Sequence, residues 1–150
     1  MKILSKKGFS LIEMMVALAI IGIMASILYT DYRNFMLQRR LSGAALALKL
    51  DLIQARAQAI SMSRNITVLF PTSPSSQYTY DASGDAVTKN IQTDLGYYDV
   101  TVSADEDPIF TSRGMVRNMA GTNPAATVTF RNSAGSKTVT VNIAGQVTIN

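Results

Sequence analysis

The sequence of 150 residues contains no cysteine, no histidine and no tryptophan. Without cysteine the chain has no disulfide bond and no thiol nucleophile, and without histidine it lacks the commonest general base and transition-metal ligand. Serine, lysine, tyrosine and carboxylates remain, but no nucleophile-elbow, phosphate-loop or metal-ligand motif surrounds them. The composition therefore argues against an enzyme, and we expect neither a cofactor nor a metal.

Proline is absent before Pro71, and Glu13 is the only charged side chain between Phe9 and Tyr29. An apolar run of this length can cross a bilayer core of about 30 Å as a helix that rises about 1.5 Å per residue. Because no proline interrupts the chain before Pro71, we predict one helix from about Phe9 to about Ser63. Such a helix would be about 80 Å long.

Three lysines, Lys2, Lys6 and Lys7, precede the apolar run and favour a cytoplasmic N-terminus. A cleaved secretory signal fits poorly, because the run exceeds the usual ~7–15 residues and no A-x-A cleavage site follows it. A plain membrane anchor accounts for the length but not for Glu13, since an ionised carboxylate in lipid costs about 2.5–3.5 kcal/mol.

The segment Lys6–Glu13, with the sequence KKGFSLIE, closely resembles the processing motif of type IV prepilins and type II secretion pseudopilins. The resemblance implies that a prepilin peptidase cuts after Gly8 and methylates Phe9, the new N-terminal residue. It also implies that Glu13 sets the register of a staggered filament by pairing with the Phe9 amine of a neighbouring subunit. Spacing alone leaves a pair within one chain open, because about 6 Å of helix separates the two groups along the axis.

Beyond the membrane run, two sets of apolar residues recur at intervals of three and four. Together they predict a broad apolar face that packs on a sheet. The sets are Leu41, Ala45, Leu48, Leu52, Ala55 and Ala59, and Leu46, Leu50, Ile53, Ala57 and Ile60. Ser42, Lys49, Arg56 and Ser63 form a polar stripe at seven-residue intervals.

After Ser63 the pattern changes to short segments of β-branched and aromatic residues, separated by proline, glycine and serine. These segments predict strands at 65–70, 78–80, 98–102, 127–130, 138–143 and 146–149, the last three as an antiparallel meander. Residues 103–124 carry no assignment. We therefore predict the α+β fold class, with a long N-terminal helix, membrane-spanning in its first half, packed on a mostly antiparallel β-sheet head. The resemblance to type IV prepilins implies the same arrangement, a type IV pilin-like fold.

The segment Leu46–Phe70 and the strand–turn–strand ending around Ala144–Val147 are similar to the GspH/FimT family of minor pilins and pseudopilins. The resemblance implies a structural subunit of a type IV pilus or type II secretion pseudopilus. It divides the chain into a cleaved leader (1–8), a transmembrane and filament-core helix (9–29), an amphipathic continuation (30–64) and a β-rich head (65–150).

The expected partners are prepilin peptidase, other pilins or pseudopilins through the N-terminal helix, and an inner-membrane assembly platform. We expect a single-pass protein of the bacterial inner membrane with its head in the periplasm, later drawn into a filament. A major pilin that forms the bulk of the fibre is an alternative. Many major pilins carry a helix-kinking proline shortly after the membrane run, and its absence here favours a minor subunit.

Charge is arranged in blocks along the chain, although the net charge is only +4. Residues 33–64 carry six basic side chains and one acid, residues 81–107 carry seven acids and one lysine, and no acid follows Asp107. Opposed blocks suit contacts between the heads of staggered subunits. Cleavage after Gly8 would leave 11 basic residues against 10 acids, so the excess basic charge is mainly a leader signal.

A second alternative is a DNA-binding minor pilin of natural transformation, because some FimT-like proteins take part in DNA uptake through arginines near the C-terminus. Here Gln146 stands where that arginine is expected, and Phe130 is the one nearby aromatic for base stacking. The remaining candidates for binding DNA phosphates or other anions are Arg113, Arg117, Arg131 and Lys137.

Overall fold

The computed structural model describes residues 8–71, 75–82, 85–118, 121 and 125–150, apart from the side chains at 27, 28, 30, 81 and 82. Lys2, Lys6 and Lys7 lie outside the described residues. The described part contains one helix, α1, at Leu11–Ser61. It is followed by the strands β1 (Ile66–Leu69), β2 (Gln77–Ala82), β3 (Asp85–Asn90), β4 (Thr101–Ala104), β5 (Ile109–Phe110), β6 (Val116–Arg117), β7 (Ala126–Asn132), β8 (Gly135–Val141) and β9 (Val147–Ile149).

Both ends of α1 have recognisable capping geometry. At the start, the carbonyl of Ser10 accepts the amides of Glu13 and Met14 at 3.1 and 3.2 Å. At the end, Ser63 has a φ of 52° and the amide of Arg64 donates to the carbonyl of Ala59 at 3.2 Å. This pattern is a Schellman motif, which ends a helix through one left-handed residue and turns the chain into β1.

The chain divides into two compact units, one ending at Met36 and the other spanning Leu37–Asn150. In the first unit the described residues belong to α1 and the short segment before it. The second unit, called the head below, contains the hydrophobic core. That core combines seven residues of α1 with apolar residues from the strands and from the segment between β3 and β4.

Two antiparallel sheets make up the rest of the head. Their strand orders are β3-β2-β1-β5-β6 and β4-β7-β8-β9. The predicted C-terminal meander is confirmed, with Val128 opposite Val139 and Val141 opposite Val147. The strand predicted to begin at Tyr98 begins instead at Thr101, because Tyr98 lies in an exposed turn before it.

The broad apolar face predicted for α1 is only half correct. The set from Leu41 to Ala59 is buried in the head, and every member is at most 4% exposed. The set from Leu46 to Ile60 faces outward, and Leu46 and Leu50 are 51% and 58% exposed. A sheet covers only one stripe of a helix, so the apolar residues on the flank of that stripe stay uncovered.

Candidate assembly surfaces

The predicted processing residues lie at an open end of the chain. Phe9 is 79% exposed, and the position of a Cβ atom on Gly8 would have no atom within 4 Å. Glu13 is exposed in the first turn of α1, two residues after the helix begins. Gly8, Phe9 and Glu13 are thus all exposed.

The N-terminal half of α1 exposes apolar side chains all round its circumference. Between Phe9 and Ser26 every described side chain is exposed, including large ones such as Leu11 at 78% and Ile23 at 65%. By length and composition this helix could cross a membrane. A helix that is apolar on every face needs lipid or other helices around it, since it has no polar side to turn to water.

Aromatic side chains mark the end of the apolar run. Tyr29, Tyr32 and Phe35 are 69%, 63% and 51% exposed, and their spacing of three places them on neighbouring parts of one helix side. Asp31 and Arg33 are the first charges after Glu13. Tyrosine next to charged residues is typical of the boundary between membrane and water.

A second apolar surface lies on the head. It consists of the outward-facing residues of α1 and is called the outer stripe: Leu46, Leu50, Ile53, Ala57 and Ile60. The members recur at intervals of three and four and so share one side of the helix. A row of apolar side chains of this length is typical of a contact surface.

Arg56, a member of the predicted polar stripe, holds two turns of the head together. Its Nε donates to the carbonyl of Gly114 and its Nη2 to the carbonyl of Ala144, both at 3.0 Å. Gly145 has a φ of 74°, and a Cβ there would collide with the Gly114 carbonyl and the Arg56 side chain. The resemblance placed Gly145 in a family turn, but sequence reasoning missed its contact with Arg56.

Asp51 forms a polar cluster at the edge of the core. It is 6% exposed and receives hydrogen bonds from the Tyr78 hydroxyl at 2.5 Å and from Lys89 Nζ at 2.7 and 2.9 Å. Burial, followed by the contact with Asp51, raises the pKa of Tyr78. Burial alone would lower the pKa of Lys89, but the hydrogen bond and charge of Asp51 outweigh burial and raise it.

The four candidate anion-binding residues are not brought together. Arg113 and Arg117 lie in and beside the β5–β6 turn and line one cleft of about 290 Å³. Arg131 lies on β7 and Lys137 on β8, in the other sheet, and Lys137 lines a separate cavity. Phe130 is fully buried and so is unavailable for stacking on bases. The arrangement therefore does not favour DNA binding by these four residues.

Solved structures share this architecture. The chain is similar to the type IV minor pilin FimU of Pseudomonas aeruginosa, with 18% identity and a TM-score of 0.58, over 77% of this chain and 92% of the other. It is also similar to the minor pseudopilin EpsH of the Vibrio cholerae type 2 secretion system, with 10% identity and a TM-score of 0.56, over 74% and 96%. No curated protein sequence matches the chain.

The chain thus shares the fold of these two proteins and carries an apolar N-terminal helix. Residues 3–29 match the prokaryotic N-terminal methylation motif, and residues 44–145 match the family described as type II transport protein GspH. The chain belongs to the GspH family. It is a minor pilin- or pseudopilin-like subunit, which confirms the prediction of a structural rather than an enzymatic role.

Membership in this group implies processing by prepilin peptidase and assembly with other pilins. The apolar helix and the methylation motif together indicate membrane anchoring and a place in a pilus or pseudopilus. The alternatives of a DNA-binding subunit and a major pilin are not favoured.

Proposed function

We propose that the chain is made as a precursor and cut between Gly8 and Phe9, after which the Phe9 amine is methylated. The leader is residues 1–8, and residues 9–29 anchor the mature subunit in the inner membrane. The helix continues over residues 30–64, and the β-rich head of residues 65–150 lies in the periplasm. The subunit is then drawn from the membrane into a type IV pilus or a type II secretion pseudopilus by an inner-membrane assembly platform.

One observation carries this proposal: the part of α1 that is apolar on every face begins just after an accessible Gly8–Phe9 bond. A peptidase needs an unfolded, exposed bond, which this end of the chain offers. This part of the helix has no polar side to turn to water, so it is held in lipid and later packs against helices of other subunits. Tyr29, Tyr32 and Phe35 would then sit where the helix leaves the bilayer on the periplasmic side.

Glu13 supplies a directional contact within this otherwise apolar helix. Its carboxylate forms no hydrogen bond or ion pair with any residue in the part of the chain that the structure describes. In lipid or in a bundle of apolar helices an unpaired carboxylate is costly, so a positive partner stabilises it. The Phe9 amine of an adjacent subunit is such a partner, and pairing with it fixes the axial stagger between neighbouring helices.

Substitution of the residue before the cut tests the processing step. Gly8→Leu should block the peptidase and leave a longer, unmethylated chain in the membrane, as read by intact-mass spectrometry of the purified protein. Gly22→Ala is the matched control. Like Gly8, Gly22 has open space at the position of a Cβ atom, but it lies on α1, away from the cut. Normal maturation of Gly8→Leu would contradict the proposal.

A further inference from the structure

The cleft beside the β5–β6 turn carries two guanidinium groups without an internal partner. Arg113 and Arg117 are exposed, and neither side chain is hydrogen-bonded or ion-paired to another residue that the structure describes. The lining is otherwise polar apart from one methionine: Asn65, Thr111, Ser112 and Met115 complete it. Two arginines over a small polar cleft match an oxyanion, because each guanidinium presents a planar fork of donors.

The turn that carries the cleft is held in place. Thr111 and Met115 are joined by a backbone hydrogen bond of 2.8 Å and by the Thr111 hydroxyl at 3.1 Å. Arg56 fixes the carbonyl of Gly114 from the side of α1. Because the backbone on both sides of Arg113 is fixed, binding an anion costs less ordering than it would on a free loop.

The acidic segment between β4 and β5 lies at the opposite end of β1 from the cleft. Asp107 accepts the amide of Phe70 at 2.9 Å, and Asp105 accepts the amide of Thr127 at 2.6 Å, which leaves Glu106 exposed between them. Asp107 lies at the Phe70 end of β1 and the cleft at the Asn65 end. About 15 Å of strand therefore separates a negative from a positive end of the head.

We propose that the Arg113–Arg117 cleft binds an acidic turn of a neighbouring pilin-like subunit in the filament. The inference rests on the proposed assembly function and names a contact within it. Pilin-like heads share one fold, so a neighbour displaced along the filament presents its own end of the sheet to the cleft. A contact between two different surface sites repeats along a helical assembly instead of closing on itself, as a fibre requires.

A nucleic acid fits this cleft less well. The cleft is small, at about 290 Å³, and none of its lining residues is aromatic, so it offers no ring on which a base could stack. The remaining basic candidates, Arg131 and Lys137, lie on the other sheet. Protein carboxylates need only the two guanidiniums that the cleft provides, whereas a phosphate backbone needs a longer basic track.

A peptide with the sequence of residues 103–109, SADEDPI, serves as the acidic probe, and its counterpart SANQNPI is the uncharged control. Binding of each labelled peptide to the full-length protein in detergent is measured by fluorescence anisotropy at low salt. We expect SADEDPI to bind, SANQNPI not to bind, and the R113Q/R117Q variant to weaken binding about tenfold. R131Q removes an exposed arginine on the other sheet and should change the affinity less than twofold.

Equal loss in R131Q and R113Q/R117Q, or no loss in R113Q/R117Q, would overturn the assignment. The assignment would also be overturned if a 20-nucleotide single-stranded or duplex DNA bound more tightly than SADEDPI and R113Q/R117Q abolished that binding. The cleft would then be a nucleic-acid site. Circular dichroism verifies that each variant is folded. The intact mass of the protein in the same preparation shows separately whether the leader has been removed and Phe9 methylated. A failure of the cleft to bind the peptide is therefore distinguishable from a failure of the proposed maturation.

Discussion

Arg56, Gly114 and Gly145 join α1 to two turns of the head. Both glycines have a φ of 74°, a left-handed conformation that costs a residue with a Cβ about 1–2 kcal/mol. At Gly145 the available space is the stricter limit, because the Gly114 carbonyl and the Arg56 side chain occupy the position of a Cβ. The close approach of the two turns therefore depends on the absence of a side chain.

Gly145→Ala should lower the free energy of unfolding of a 37–150 fragment by about 2–3 kcal/mol, combining backbone strain with a steric clash. Gly96→Ala is the matched control, since Gly96 has a φ of 73° but open space around it. It should cost only the backbone part, about 1 kcal/mol. Urea unfolding followed by circular dichroism measures both, and equal losses would show that the contact with Arg56 is unimportant.

At the scale of elements, periodicity predicted α1 and its buried stripe because apolar residues at helical spacing have few other interpretations. The β7–β9 meander was predictable for a similar reason, since its strands are rich in threonine and valine. Strand β3, with the sequence DAVTKN, was missed because its composition is weakly β-forming and pairing with β2 produces it. Strands β5 and β6 are two residues each and exist only through pairing beside β1.

The cluster of Asp51, Tyr78 and Lys89 could be predicted in part from the sequence. Asp51 is the only acid between residues 33 and 64, and it falls at helical spacing with Ala44, Leu48 and Ala55 on the buried side. A lone carboxylate in that position signals a buried partner. Which cation and hydroxyl reach it depends on the pairing of Tyr78 with Lys89 across two strands, which no local pattern reveals.

The Asp51 cluster predicts how the stability of the head depends on pH. The pKa values of Lys89 and Tyr78 are both raised on folding, so the folded state holds these protons more tightly than the unfolded chain. Their contribution is complete below about pH 10 and is lost as the pH rises through the folded values. Thermal unfolding of the 37–150 fragment should therefore show a melting temperature that falls above pH 10.

Substitution of Lys89 measures how much its ion pair with Asp51 contributes to the stability of the head. Lys89→Met leaves Asp51 buried with Tyr78 alone and should cost about 1–3 kcal/mol at pH 7. Lys49→Met, at a half-buried lysine of α1, is the control and should change stability by less than about 0.5 kcal/mol. If Lys89→Met were as stable as Lys49→Met, the ion pair would contribute nothing to the head.

At the scale of the whole molecule, the chain consists of two compact units with different surfaces. The head buries its own core, so its folding needs no contribution from the residues before Leu37. The N-terminal part of α1 keeps its apolar surface for lipid or for other subunits. Changes before Leu37 should therefore affect assembly and leave the folding of the head unchanged.

Glu13→Val tests this division in the full chain. Valine removes a carboxylate from an apolar helix, so membrane insertion should be retained or improved, while incorporation into filaments should fall about tenfold because register is lost. Asp31→Asn removes the next carboxylate of α1, outside the apolar run, and should assemble normally. Insertion is read by membrane fractionation and incorporation by quantifying the subunit in sheared filaments. Normal incorporation of Glu13→Val would make the carboxylate dispensable.

The polar links between α1 and the rest of the head also have a mechanical consequence. Arg40 pairs with Asp99 at 3.1 Å, Asp51 with Lys89 and Arg56 with the turn at Gly114, at three successive heights along the helix. A pull along the axis of α1 loads all of these links in parallel, in shear, instead of opening them one after another. The strands of the head therefore resist separation from α1 when a force acts along the helix axis. A force perpendicular to the axis at either end of α1 would break the links one after another and separate the two far more easily.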